Sequence, residues 1–227
     1  MLDPVSDSGI TGYTTVRGEH RHETEVRRSR FVAVVRRADT EDGARHLVTD
    51  LRREFHDARH HCSAFVLGPD RSIQRANDDG EPSGTAGVPM LDAILKRVTT
   101  GGATDLSDLA VVVVRYFGGV LLGAGGLVRA YSDAVSQALE AAPTVQRRLL
   151  QQLTVPVAHA DAGRVENDLR AAGTGILGTD YLADRALIQV AVPAGEASVM
   201  DFTARLASLT AGQSGAELQD LKWVDCD

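Results

Sequence analysis

Six consecutive aliphatic residues, Leu109-Ala110-Val111-Val112-Val113-Val114, run on into Arg115-Tyr116-Phe117 and stop at Gly118-Gly119. A stretch that is β-branched on both of its alternating faces is a strand covered from both sides, so it predicts the middle of a sheet with helices above and below. The neighbouring segments supply those parts. Ser29 to Val35 reads as a strand, and Thr40-Glu41-Asp42 opens a helix that lines up Ala44, Leu47, Val48, Leu51 and Phe55. His61 to Leu67 and Ser72 to Arg75 read as a hairpin about Gly68-Pro69-Asp70-Arg71. A helix enters at Pro89, where a missing N–H costs nothing. After a glycine loop to Gly126, Leu127, Tyr131, Ala134, Val135, Ala138 and Leu139 repeat at helical spacing, and Pro143 closes that helix.

Residues 1–146 form one expected domain and 147–227 a second. In the second, strands at Leu149–Val157, Gly175–Leu182, Ala186–Val192 and Ala216–Trp223 alternate with helices at Asp161–Ala172 and Gly195–Leu209. The order βαββαβ is the split, ferredoxin-like pattern, and the fold class is α+β. With 43% hydrophobic and 24% charged residues among 227, the chain buries a core and is neither disordered nor membrane-spanning. Met1 to Ser8 shows no secretory pattern, so a cytoplasmic location is expected.

Net charge is −7, with 17 basic and 20 acidic residues in 1–146 and 7 and 11 in the remainder. Neither part is cationic, which argues against generic binding of duplex DNA. The densest arginine stretch, Arg17 to Arg59, is nearly balanced by its acids. Cys62 and Cys226 stand 164 positions apart without metal-ligand spacing and read as reduced thiols. His60 and His61 adjoin on a strand and therefore point to opposite faces, which argues against joint metal ligation. Ser63, Ser83 and Ser132 lack the Gly-x-Ser-x-Gly elbow of a serine hydrolase.

Two loops carry possible chemistry. Asn77 to Gly87 packs Asp78, Asp79, Glu81, Ser83 and Thr85 among three glycines, composition that suits either an acidic surface loop or a metal or acid/base site. Arg115 to Arg129 holds five glycines within Gly118–Gly126, among them Gly118, Gly119, Gly125 and Gly126. Bare amides opening a helix beside Arg115 and Arg129 suit an anion, or close backbone packing. The glycine spacing matches neither a dinucleotide fingerprint nor a P-loop.

Four blocks in order over about residues 20–140 resemble the YigZ/Impact family. They are Ser29-Arg30-Phe31, Asp57-Ala58-Arg59-His60-His61-Cys62, Asp78 through Gly87, and Val113 through Gly119 with Leu122 through Tyr131. The tail from Leu149 is similar in length and element order to the small C-terminal domain of bacterial YigZ-type members. The resemblance implies a ribosomal protein S5 domain 2-like N-terminal domain and a C-terminal domain similar to the last domains of elongation factor G. It also implies, through Impact, regulation of translation by protein partners, and it supplies no catalytic residues. The leading expectation is a non-enzymatic, translation-associated protein that binds RNA, the ribosome or a regulatory protein. Both loops would form its recognition face, with Arg115, Tyr116 and Arg129 as anchors. The rival is a hydrolase or phosphoryl-handling enzyme in which Asp78, Asp79 and Glu81 hold a metal and the Gly118–Gly126 backbone binds an oxyanion. A protein–protein adaptor is the third, favoured over nucleic acid by the negative charge. No cofactor, structural metal or membrane partner is implied, and the sequence leaves the oligomeric state open.

Overall fold

A computed structural model describes residues 9–226, so the expectation drawn from Met1 to Ser8 lies outside the described residues. The chain divides into two compact units, one of Tyr13–Gln146 and one of Arg147–Cys226 together with the described residues up to Gly12.

The first unit is built on a five-stranded antiparallel sheet in the order β2 (Glu19–Val26), β3 (Ser29–Arg37), β6 (Leu109–Tyr116), β4 (His60–Leu67) and β5 (Ile73–Asn77). The aliphatic run is the central strand, as its two-sided pattern requires. Ala110, Val112 and Val114 face α1 (Glu41–Glu54) with Leu47 and Leu51. Leu109, Val111 and Val113 face α2 (Gly87–Leu95) and α3 (Gly123–Ala141), where Met90, Ile94, Tyr131 and Val135 complete the larger core. The Thr40 hydroxyl accepts the Gly43 amide at 3.1 Å and fixes the start of α1.

Two strands had no apolar signature. β1 (Gly12–Val16) is short, and its backbone bonds the Asp105–Ser107 segment, Thr14 donating to Asp105 and accepting from Ser107. β2 reads Glu-His-Arg-His-Glu-Thr-Glu-Val, a sheet edge with no fully buried position, so charge takes the place of hydrophobic alternation. α3 begins at Gly123, four residues before the expected start, and the glycine loop is correspondingly shorter.

The second unit is the ferredoxin-like domain. β8 (Gly175–Tyr181), β9 (Ala186–Pro193) and β7 (Thr144–Val157) lie side by side, antiparallel, and β10 (Glu217–Cys226) pairs with β7. Helices α4 (Ala162–Ala171) and α5 (Glu196–Thr210) contribute Val165, Leu169, Phe202 and Leu206 to a core with Leu153, Val155, Ile188 and Val190. No helix among the described residues is long and apolar enough to cross a membrane.

Candidate functional site

The acidic loop is an internal brace. Asp78 Oδ1 accepts the amides of Ala86 (3.0 Å) and Gly87 (2.7 Å), and Oδ2 accepts that of Gly84 (2.7 Å). One carboxylate thus serves donors that the start of α2 would leave unpaired. Partial burial raises its pKa, but the three amides outweigh that and hold it below the ordinary aspartate range. Gly87 is obligatory here, because a Cβ would lie 2.6 Å from the Asn77 backbone nitrogen.

The stability supplied by Asp78 is fully present above the unfolded aspartate pKa and disappears as pH falls through the lower folded value. Asp78→Asn is expected to cost about 1–2 kcal/mol at pH 7 in urea denaturation, with the gap to wild type closing as pH falls below the ordinary aspartate range. A gap that stays constant from pH 7 to pH 2.5 would show that the charge is not what the amides hold.

Asp79 turns the other way. Its carboxylate accepts from Arg52 Nη2 (2.5 Å) and from the His61 amide (2.6 Å), and its carbonyl lies 2.9 Å from His60 Nδ1. His60 and His61 do occupy opposite faces of β4. His61 is buried, and burial, reinforced by the Arg52 charge, holds its imidazole below the ordinary histidine range. Ser83 is exposed, whereas Thr85 is buried and donates to the Pro82 carbonyl at 2.6 Å.

Glu81 points inward and joins the two loops. Its side chain, 4% exposed, accepts from Arg115 Nη1 at 2.6 Å and from the Tyr131 hydroxyl at 2.7 Å. Arg115 lies between the rings of Phe31 and Phe117, 5.4 and 5.7 Å from their centroids, with Nη2 3.4 Å from Ser29 Oγ and Nε without a partner. Beneath them the Cys62 thiol sits 3.0 Å from the Asp78 carbonyl and 3.3 Å from the Tyr131 hydroxyl. Burial pushes the thiol up to about 12 and the Tyr131 phenol far above its usual range.

This arrangement corrects the expected recognition face. Arg115 is 5% exposed and closed to an outside partner. Tyr116, next on the strand, necessarily faces the other side, where its hydroxyl donates to Asp57 at 2.7 Å and Arg30 lies 4.7 Å above its ring. Asp78, Asp79 and Glu81 diverge onto three different sets of internal partners instead of converging on one point. The amides of Gly84 and Gly87 are paired within the loop.

What remains open to the outside is the second loop with the β2–β3 turn. Gly118 packs against that turn so closely that a Cβ would lie 2.0 Å from the Arg28 carbonyl, and its amide donates to Ser29 Oγ at 3.2 Å. Gly119 adopts φ +83°, and Phe117, Val120, Leu121 and Val128 are exposed, Leu121 by 82%. Arg27 and Arg28 form the turn in left-handed conformations (φ 47° and 66°), which cost a non-glycine residue about 1 kcal/mol each. Arg27 and Arg129 line one hollow of about 360 Å³ with Gly125 and Gly126, at the uncapped start of α3. Arg27, Arg28 and Arg129 pair with no acidic side chain among the described residues.

The sequence marks Glu81, Arg115, Cys62, Phe117 and Tyr131 one by one but does not show that they meet, and it gives no signal for Leu121 or the Arg27-Arg28 turn. The burial of Arg115 was readable from its place in register with Leu109, Val111 and Val113.

Residues 27–139 match the Impact N-terminal domain, and residues 155–213 match a domain of unknown function, DUF1949. IMPACT family member YigZ of Escherichia coli (strain K12) is 40% identical over 190 residues, 83% of this chain and 88% of that protein. IMPACT family member YvyE of Bacillus subtilis (strain 168) is 42% identical over 161 residues, 71% of each chain. A crystal structure described as that of a hypothetical protein aligns at 34% identity with a TM-score of 0.60, covering 92% of this chain and 98% of the other.

Proposed function

The chain belongs to the IMPACT family, and from that membership and the surface geometry we propose that it is a non-enzymatic regulator that binds a protein of the translation machinery in the cytoplasm. The binding face is Phe117–Leu121 and Val128 with Arg27, Arg28 and Arg129 at its edge. The translation setting comes from the resemblance to Impact. The choice of a protein partner rests on one observation: Leu121 stands 82% exposed at the tip of a loop whose base is fixed by Gly118 and the buried Glu81–Arg115 pair. An aliphatic side chain exposed on this loop, together with unpaired guanidinium groups on the neighbouring β2–β3 turn and α3, suits an apolar pocket with an acidic rim.

RNA is the second reading, favoured by the same three arginines and by the exposed ring of Phe117. The aliphatic residues at the tip favour protein, since they offer a nucleobase neither a stacking plane nor a hydrogen bond.

Affinity capture from lysate separates the two. Wild-type chain is expected to retain a translation protein after ribonuclease treatment and at moderate salt, and Leu121→Asp is expected to weaken that capture about tenfold or more. Arg129→Glu is expected to lower it further at low salt than at moderate salt. Loss on ribonuclease treatment, with a steep salt dependence, would transfer the assignment to RNA. Capture indifferent to Leu121→Asp would remove this face from the interaction.

A further inference from the structure

The turn between β2 and β3 is made of residues that resist its shape. Val26 pairs with Ser29, so Arg27 and Arg28 are the whole of a two-residue hairpin connection. Such a connection follows the right-handed twist of its strands when both central residues take positive φ, and asparagine followed by glycine meets that demand at least cost. Arginine carries a Cβ that opposes it, yet Arg27 and Arg28 stand at φ 47° and 66°. The surroundings impose the conformation. The Gly118 backbone lies directly against Arg28 and donates its amide to the Ser29 hydroxyl, so the end of β6 holds the turn in place.

The fold gains nothing in return from the two side chains. Both are exposed, and neither forms an ion pair or a hydrogen bond among the described residues. Other arginines of the same hairpin are neutralised: Arg21 meets Glu19 and Glu54, Arg30 meets Glu23 at 3.5 Å, and Arg36 meets Glu19 and Asp50. Glu25 stands opposite Arg30 in the strand register. Asp133 lines the hollow that Arg27 shares with Leu122 and Arg129, but it is in ion-pair contact with neither arginine. The turn thus costs stability and supplies exposed positive charge beside the glycine loop.

We infer that the Arg27–Arg28 turn is the specificity-determining element of the partner-binding face: its guanidinium groups meet carboxylates of an acidic partner segment, and an apolar side chain of that segment packs on the Phe117–Leu121 loop. This rests on the partner-binding reading above and adds what the partner must carry. A guanidinium binds a carboxylate through two parallel N–H···O contacts, a geometry that a turn fixed at its base presents without further ordering of the backbone. The strain in the free chain is offset in the complex.

Amide NMR of the full chain, titrated with a capped peptide of about ten residues in which two leucines are flanked by aspartate and glutamate, tests this. Saturable shifts are expected at residues 27–29 and 117–129, with the asparagine and glutamine counterpart of the peptide binding about tenfold more weakly or worse. Arg27→Asn with Arg28→Gly is expected to weaken binding of the acidic peptide about tenfold and, by relieving the turn, to raise the melting temperature by about 2–4 °C. A turn with only a structural role does not lose binding while gaining stability. Arg27→Lys with Arg28→Lys keeps both charge and strain, so its affinity is expected to fall between the two at an unchanged melting temperature. The assignment is overturned by absence of saturable binding of the acidic peptide, by equal affinity for its neutral counterpart, or by a first variant that binds as wild type or melts no higher. Tighter binding of an oligouridylate of about ten nucleotides than of the peptide also overturns it. Weakened lysate capture by Leu121→Asp alongside any of these results would leave the partner-binding face standing and remove only the role of the turn.

Discussion

Glu81→Ala is expected to destabilise the chain by about 3–5 kcal/mol, measured by urea denaturation with tryptophan-independent far-ultraviolet detection. The reason is what remains behind. Arg115 keeps its charge whatever happens to Glu81, and its side chain is 7% exposed between two aromatic rings. Without the carboxylate its guanidinium has Ser29 Oγ at 3.4 Å as its other hydrogen-bond partner, and the Tyr131 hydroxyl loses its acceptor. Against a typical total of about 5–15 kcal/mol, that loss brings the fold near its threshold. Removing both charges tells a different story: Glu81→Leu with Arg115→Met is expected to regain most of the stability, because an apolar pair of similar volume avoids the desolvation of two ions. A single Glu81→Ala cost below about 1 kcal/mol would mean that water reaches the arginine.

Gly118→Ala is expected to cost about 3 kcal/mol, a large effect for one methyl group. The added carbon would lie 2.0 Å from the carbonyl carbon and oxygen of Arg28 and 2.5 Å from the Ser29 nitrogen. These are backbone atoms, so no rotamer change relieves the overlap, and the end of β6 must move away from the β2–β3 turn. That displacement breaks the Gly118–Ser29 hydrogen bond and shifts the loop that carries Leu121 relative to the β2–β3 turn. Partner capture should therefore fall together with the melting temperature. Gly125→Ala is the control: nothing lies within 4 Å of its added carbon, and it should change stability by less than about 0.5 kcal/mol. Equal melting temperatures for the two variants would refute the close packing at Gly118.

Much of the fold was legible because its core strands carry periodic burial. Leu109–Val114 announces a covered central strand, and Leu47, Leu51, Val165 and Leu169 mark helix faces in the same way. β2 was hidden because an edge strand of alternating charge and histidine looks like any solvated stretch. The helical start at Gly123 was hidden because glycine disfavours helix by about 1 kcal/mol relative to alanine, so Gly123, Gly125 and Gly126 read as loop. Within the site, alternation along β6 places Arg115 inside and Tyr116 on the reverse face. Nothing local to Arg115 identifies Glu81, 34 positions earlier, as the acid that meets it. The acidic loop misled for a related reason: Asp78 and Asp79 are adjacent in sequence, yet one serves backbone amides at the start of α2 and the other an arginine of α1. Composition records how many carboxylates a loop has and is silent on which way each one turns.

The placement of Cys62 beneath Tyr131 has a bearing on how the chain tolerates its surroundings. A thiol that retains its proton to about pH 12 is ionised at neutral pH in only on the order of one molecule in 10⁵, and it is shut away from solvent as well. Peroxide and alkylating reagents are thus directed to Cys226, the other of the two cysteines, which is partly exposed. A spectroscopic label can be attached there without first engineering the interior.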